Sequence, residues 1–184
     1  MRLINCKTRQ FEEFFDQDIP RYAILSHTWD GAEVPFKDYH HPERHTLYSV
    51  DANNKIEQTC QKAKEDGFDY VWIDSCNIDK SSSAELTEAI NSMYKWYEGA
   101  ERCYIYLSDL SLDVETFEQI RDYKESCKPY LANCKWFARG WGEFRTRLFV
   151  GVLILTLQQY VSIFILTDDD RGYAQSKILV LPKI

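Results

Sequence analysis

Short apolar runs alternate along this chain with longer stretches of helical period. Tyr22-Ala23-Ile24-Leu25-Ser26 is apolar and then meets polar residues abruptly at His27-Thr28-Trp29-Asp30-Gly31, the mark of a strand buried on both faces. After a polar stretch with Pro35 and Pro42, Ile56, Cys60 and Ala63 recur at i, i+4 and i+7 among Glu, Gln and Lys, with Gly67 beyond them. That spacing predicts a helix from about Asn54 to Asp66, closed by a glycine in the left-handed region. Tyr70-Val71-Trp72-Ile73-Asp74 repeats the buried-strand pattern. Ser82, with Glu85 three residues on, makes a capping box, and Leu86, Ile90, Met93, Tyr97 and Ala100 form an apolar stripe behind it. A third strand, Cys103 to Leu107, is expected to stop at Ser108-Asp109. Strand, helix, strand, helix, strand at these spacings predicts βαβ units and an α/β fold built on an open, mostly parallel sheet flanked by helices.

Beyond Ser111 the pattern weakens. One amphipathic helix carrying Val114, Phe117 and Ile120 is expected, then a loop with Pro129. Leu148 to Leu166 is uncharged and largely apolar, long enough to meet the about 17 to 25 residues that a membrane span needs. Gln158 and Gln159 in its middle, with Gly151, Thr156 and Ser162, argue instead for buried strands, so a membrane is not the expected partner. The opening residues turn polar at once and lack the apolar stretch of a secretory signal.

Composition narrows the function classes. The chain has 184 residues, 45% hydrophobic and 15% aromatic, enough for a real core. A formal charge of −7 provides no basic field for a phosphate backbone, which excludes nucleic acid as the expected partner. Cys6, Cys60, Cys76, Cys103, Cys127 and Cys134 are irregularly spaced, several within apolar runs, and read as reduced, mostly buried thiols. His40, His41 and His45 have no second ligand pair, so no metal site is expected. No glycine-rich phosphate loop is present.

In open α/β sheets ligands bind beyond the carboxyl ends of the strands. Those ends supply Ser26, His27, Thr28, Trp29 and Asp30, then Asp74, Ser75, Cys76 and Asn77, then Ser108 and Asp109. Ser26, His27, Trp29, Asp74, Cys76, Ser108 and Asp109 are therefore the candidate binding residues, with Trp29 as a stacking wall. Asp74 equally suits a turn or helix cap, and Glu85 and Glu88 suit the first turns of a helix by charge alone.

The strings Tyr22-Ala-Ile-Leu-Ser-His-Thr-Trp29, Tyr70-Val-Trp-Ile-Asp-Ser-Cys-Asn-Ile-Asp-Lys80, Glu85-Leu-Thr-Glu-Ala-Ile-Asn-Ser-Met-Tyr94 and Trp136-Phe-Ala-Arg-Gly-Trp141 occur in order. Together they resemble the fungal heterokaryon incompatibility (HET) domain, over most of residues 1–141. The opening Met-Arg-Leu-Ile-Asn is similar to the usual start of such proteins and leads us to expect a complete N-terminus. The resemblance implies a cytoplasmic cell-death signalling module of fungal self/non-self recognition. Its implied partners are other incompatibility or signalling proteins, with self-association among them. It also implies a TIR-like or flavodoxin-like architecture and no cofactor. The alternative it raises is a TIR-like enzyme that hydrolyses NAD as substrate with Glu85 as catalytic residue. Asn77 stands where the family usually has a second cysteine. After Trp141 the chain departs from the family pattern until Thr156-Leu-Gln-Gln159, so 142–184 is expected to be a divergent tail. The simplest account is an insert from about Gly142 to Leu155, followed by a remnant of the domain with a strand ending at Asp168.

Overall fold

The computed structural model describes residues 1–29, 31, 33–111, 135, 161–168 and 174–181. They divide into two compact units, Met1–Leu25 with Trp29–Glu101, and Ser26–Thr28 with Arg102–Ile184. The fold is mixed α/β.

β3 (Tyr22–His27), whose residues up to Leu25 belong to the first unit, runs parallel to β4 (Tyr70–Ile73), with Tyr22 opposite Tyr70 and Leu25 opposite Ile73. Between them in the chain come α1 (Arg44–Leu47) and α2 (Val50–Glu65). Ile56, Cys60 and Ala63 of α2 are buried as their spacing predicts. The helix starts earlier than expected because the Ser49 side chain accepts from the Ala52 N–H. It ends as expected: Gly67 has φ 83°, the Gly67 N–H reaches the Lys64 carbonyl, and the Phe68 N–H reaches that of Ala63. These two bonds make a Schellman motif, whose left-handed residue only glycine adopts without strain.

The sheet is mixed rather than mostly parallel. β1 (Arg2–Asn5) lies antiparallel to β4, Ile4 opposite Val71, and also antiparallel to β2 (Phe11–Glu13), Leu3 opposite Glu12. β1 carries only two buried side chains, Leu3 and Ile4, between polar ends, too short a run to reveal a period. A local turn shapes this hairpin: the Asn5 side-chain oxygen accepts the Lys7 and Thr8 N–H groups, and Arg9 takes φ 60° with its N–H on the Asn5 carbonyl.

After β4 the chain enters α3 (Asp74–Asn77) and then α4 (Ser83–Gly99). Trp72, fully buried, packs on Trp96 and Tyr97 of α4 with ring centroids 5.4 and 6.1 Å away. The Tyr22 hydroxyl donates to the Trp96 carbonyl. These contacts fix the helix rotation, so Ala89 faces the core while Ile90, a member of the predicted stripe, is 63% exposed beside exposed Tyr94. The helix has apolar residues on more than one face, and periodicity alone does not choose between them.

The second unit contains β5 (Arg102–Ser111), β6 (Val161–Asp168) and β7 (Ala174–Leu181). β5 and β6 are parallel from Cys103 opposite Val161, and β6 and β7 antiparallel from Val161 opposite Leu181. β6 ends at Asp168, as expected. β5 runs on past Leu107 with a shift in register before Ser111, so Ser108 and Asp109 lie within the strand rather than after it. The helix expected over Val114 to Ile120 and the insert at 142–155 lie outside the described residues. Among the described residues no helix is long and apolar enough to cross a membrane.

Candidate functional site

The carboxyl end of β4 turns straight into α3, and buried Asn77 makes that turn possible. Its side-chain oxygen accepts the Ile73 N–H (3.0 Å) and its amide donates to the Arg2 carbonyl (3.0 Å). A thiol at this position could not supply both bonds, so the residue that departs from the family pattern has a structural role here. Asp74, first residue of α3, is left half-buried at the rim. The Trp29 indole N–H points between the two Asp74 carboxylate oxygens at 3.4 and 3.3 Å, a long and bifurcated contact. The Lys80 ammonium lies 3.5 Å from the centroid of the same indole.

Trp29 is thus held at its edge by a carboxylate and on a face by a cation, yet remains 44% exposed. Burial pushes the Lys80 ammonium below the ordinary lysine pKa, against the opposing pull of the Asp74 and Glu33 carboxylates. Glu33 joins Lys55 in an ion pair of 2.6 Å, with both side chains nearly closed to solvent. The rim therefore offers an aromatic wall, a partly desolvated amine and a carboxylate. Such a set can stack a planar group and address a polar substituent beside it.

The predicted residues divide unevenly. Trp29 and Asp74 meet. Cys76 lies beneath them, fully buried, its thiol against the Ile73 carbonyl and the Asn77 side chain. Burial pushes that thiol well above the ordinary range, which holds it neutral and unsuited to nucleophilic work. Ser26 is buried within β3 and His27 closes that strand half-buried. Ser108 and Asp109 are residues of β5 whose side chains lie outside the described residues, as does Asp30. Sequence reasoning missed the roles of Lys80, Glu33 and Lys55. Lys80 ends one of the recognised strings and carried a signal; Glu33 and Lys55 lie in unrelated polar stretches and carried none.

A family model described as heterokaryon incompatibility protein (HET) matches residues 22–129, from the start of β3 to beyond β5. This chain belongs to the heterokaryon incompatibility family. Vegetative incompatibility protein HET-E-1 of Podospora anserina is 46% identical over 125 residues, which are 67% of this chain and 9% of that protein. The chain therefore spans a small fraction of that relative's length. No solved structure matches.

Within this HET domain Glu85 is built into the architecture. Its carboxylate pairs with the Arg2 guanidinium (2.8 Å) and accepts the Asp79 N–H (2.7 Å). Arg2 also donates to the Asn77 carbonyl and to Glu13, and lies 4.0 Å from the Phe36 ring centroid. The expected capping box is half formed. Ser82 accepts the Glu85 N–H, but the Glu85 carboxylate turns to Asp79, whose carbonyl receives the Ser82 N–H. Glu85 thereby clasps the N-terminal strand to the loop that carries Lys80.

Proposed function

We propose that this HET domain is a cell-death signalling module of fungal self/non-self recognition, working in the cytoplasm by recruiting other incompatibility or signalling proteins. The match of the incompatibility family across residues 22–129 carries this reading. The parallel β3–α2–β4 unit supports a TIR-like or flavodoxin-like arrangement of the domain. Recruitment is favoured over NAD hydrolysis because Glu85, the catalytic candidate of that alternative, is occupied by Arg2 and the Asp79 N–H. The exposed Trp29 rim is the surface through which we expect the domain to act.

Inducible expression in a fungal cell, with viability and NAD followed together, tests this reading. Recruitment predicts death with NAD unchanged in its early course, and death that persists in a folded Glu85→Gln variant. NAD loss that precedes death and disappears in that variant would establish the hydrolase instead.

A further inference from the structure

We propose that the Trp29 rim binds an arginine side chain of a partner protein, and that the Lys80 ammonium holds the place of that guanidinium until the partner arrives. This rests on the recruitment reading and names what that surface recruits. The Lys80 ammonium lies 3.5 Å from the centroid of the Trp29 indole, whose N–H points between the Asp74 carboxylate oxygens at 3.4 and 3.3 Å. An aromatic face with a carboxylate at its edge is a cation site, because the ring quadrupole and the carboxylate attract the same charge. Trp29 is 44% exposed, so the ring is accessible to a second molecule.

Lys80 is a replaceable occupant. On either side of it the loop backbone is fixed: the Asp79 N–H donates to the Glu85 carboxylate (2.7 Å), and the Ser81 N–H and hydroxyl donate to the Asp79 carboxylate (3.0 and 2.6 Å). Only the flexible side-chain stem must turn for the ammonium to leave the ring. The ammonium also suits the place poorly. It is a compact, strongly hydrated charge, and burial here pushes it below the ordinary lysine pKa.

What replaces it is set by what stays behind. The Asp74 carboxylate remains at the indole edge, while Glu33, the other carboxylate that acts on Lys80, is matched by Lys55 at 2.6 Å. The incoming group must therefore be a cation that tolerates partial desolvation and addresses a carboxylate beside a flat ring. A guanidinium meets each condition. It is weakly hydrated, lies flat on an indole, and can donate from its N–H edge to a carboxylate while stacked. The formal charge of −7 adds a long-range attraction for a basic partner.

The test titrates the isotopically labelled full chain with acetyl-Gly-Arg-Gly-amide and follows the Trp29 indole N–H by NMR, assigned by its loss in Trp29→Phe. That resonance should shift saturably. The same peptide with lysine should bind several-fold more weakly, and with citrulline, which keeps the shape without the charge, more weakly still. Asp74→Asn keeps an acceptor for the indole N–H and should weaken the arginine peptide about tenfold. Lys80→Ala removes the resident cation and should tighten it several-fold. The site and the signalling reading fail separately. If the peptide does not bind but Trp29→Ala still abolishes killing, recruitment through this rim stands and the arginine site falls; if it binds but Trp29→Ala kills as wild type does, the arginine site stands and its part in signalling falls. No saturable shift in a chain that circular dichroism shows to be folded would overturn the proposal. So would equal binding of the lysine or citrulline peptide, or weaker binding by Lys80→Ala.

Discussion

Lys80 shows how one position can carry a cost that its neighbours turn to use. Its ammonium is partly desolvated against Trp29, so the native state releases that proton at a lower pH than the unfolded chain does. From there up to the ordinary value of 10.5 the unfolded chain binds more protons, and this group makes stability rise with pH. At lower pH the penalty is fully present. Lys80→Met removes it, so the urea midpoint of the variant minus that of wild type should fall as pH is raised toward 10.5. A difference that grows with pH would contradict this origin. Arg2 and Glu85 make a second case at this scale, their side chains 15% and 33% exposed. Glu85→Gln should cost about 1–2 kcal/mol in urea titrations. A double-mutant cycle with Arg2→Ala should give a coupling of about 1 kcal/mol; independent, additive effects would exclude the clasp. Trp29 and Asp74 were legible because strand ends announce themselves where an apolar run stops. Arg2–Glu85 and Glu33–Lys55 were not, because each pair joins residues far apart in sequence and no local period connects them.

Helix ends were the most legible elements, since their chemistry is local. Ser82 caps α4 and Gly67 follows α2 where the spacing placed them. Ser82→Ala should lower stability by about 1 kcal/mol through the lost acceptor for the Glu85 N–H. Gly67→Ala should lower it by about 1–2 kcal/mol, because φ 83° is strained for any side chain although nothing lies within 4 Å of an added Cβ. Thermal or urea unfolding of the two variants measures both, and a neutral Gly67→Ala would contradict the strain. Two features escaped local reading. The β1–β2 hairpin is held by the Asn5 turn and by pairing with β4, not by a hydrophobic period of its own. The rotation of α4 is set by Trp72, an element away, which leaves Ile90 and Tyr94 outside.

At the scale of the molecule the family match begins at residue 22, so the hairpin of β1 and β2 precedes it in the chain. That hairpin still reaches the recognised strings, through Arg2 on Glu85 and the Arg2 carbonyl on Asn77. Residues outside the shared strings thus reach the loop that carries Lys80, through Arg2 on Glu85 and Glu85 on the Asp79 N–H. The most direct measurement is growth of a fungal culture after induced expression of wild type and Trp29→Ala, at equal levels of folded protein. Trp29 is 44% exposed, so its removal leaves the core intact. Arrested growth with wild type and restored growth with Trp29→Ala is the predicted result; a folded Trp29→Ala domain that kills as wild type does would contradict the account.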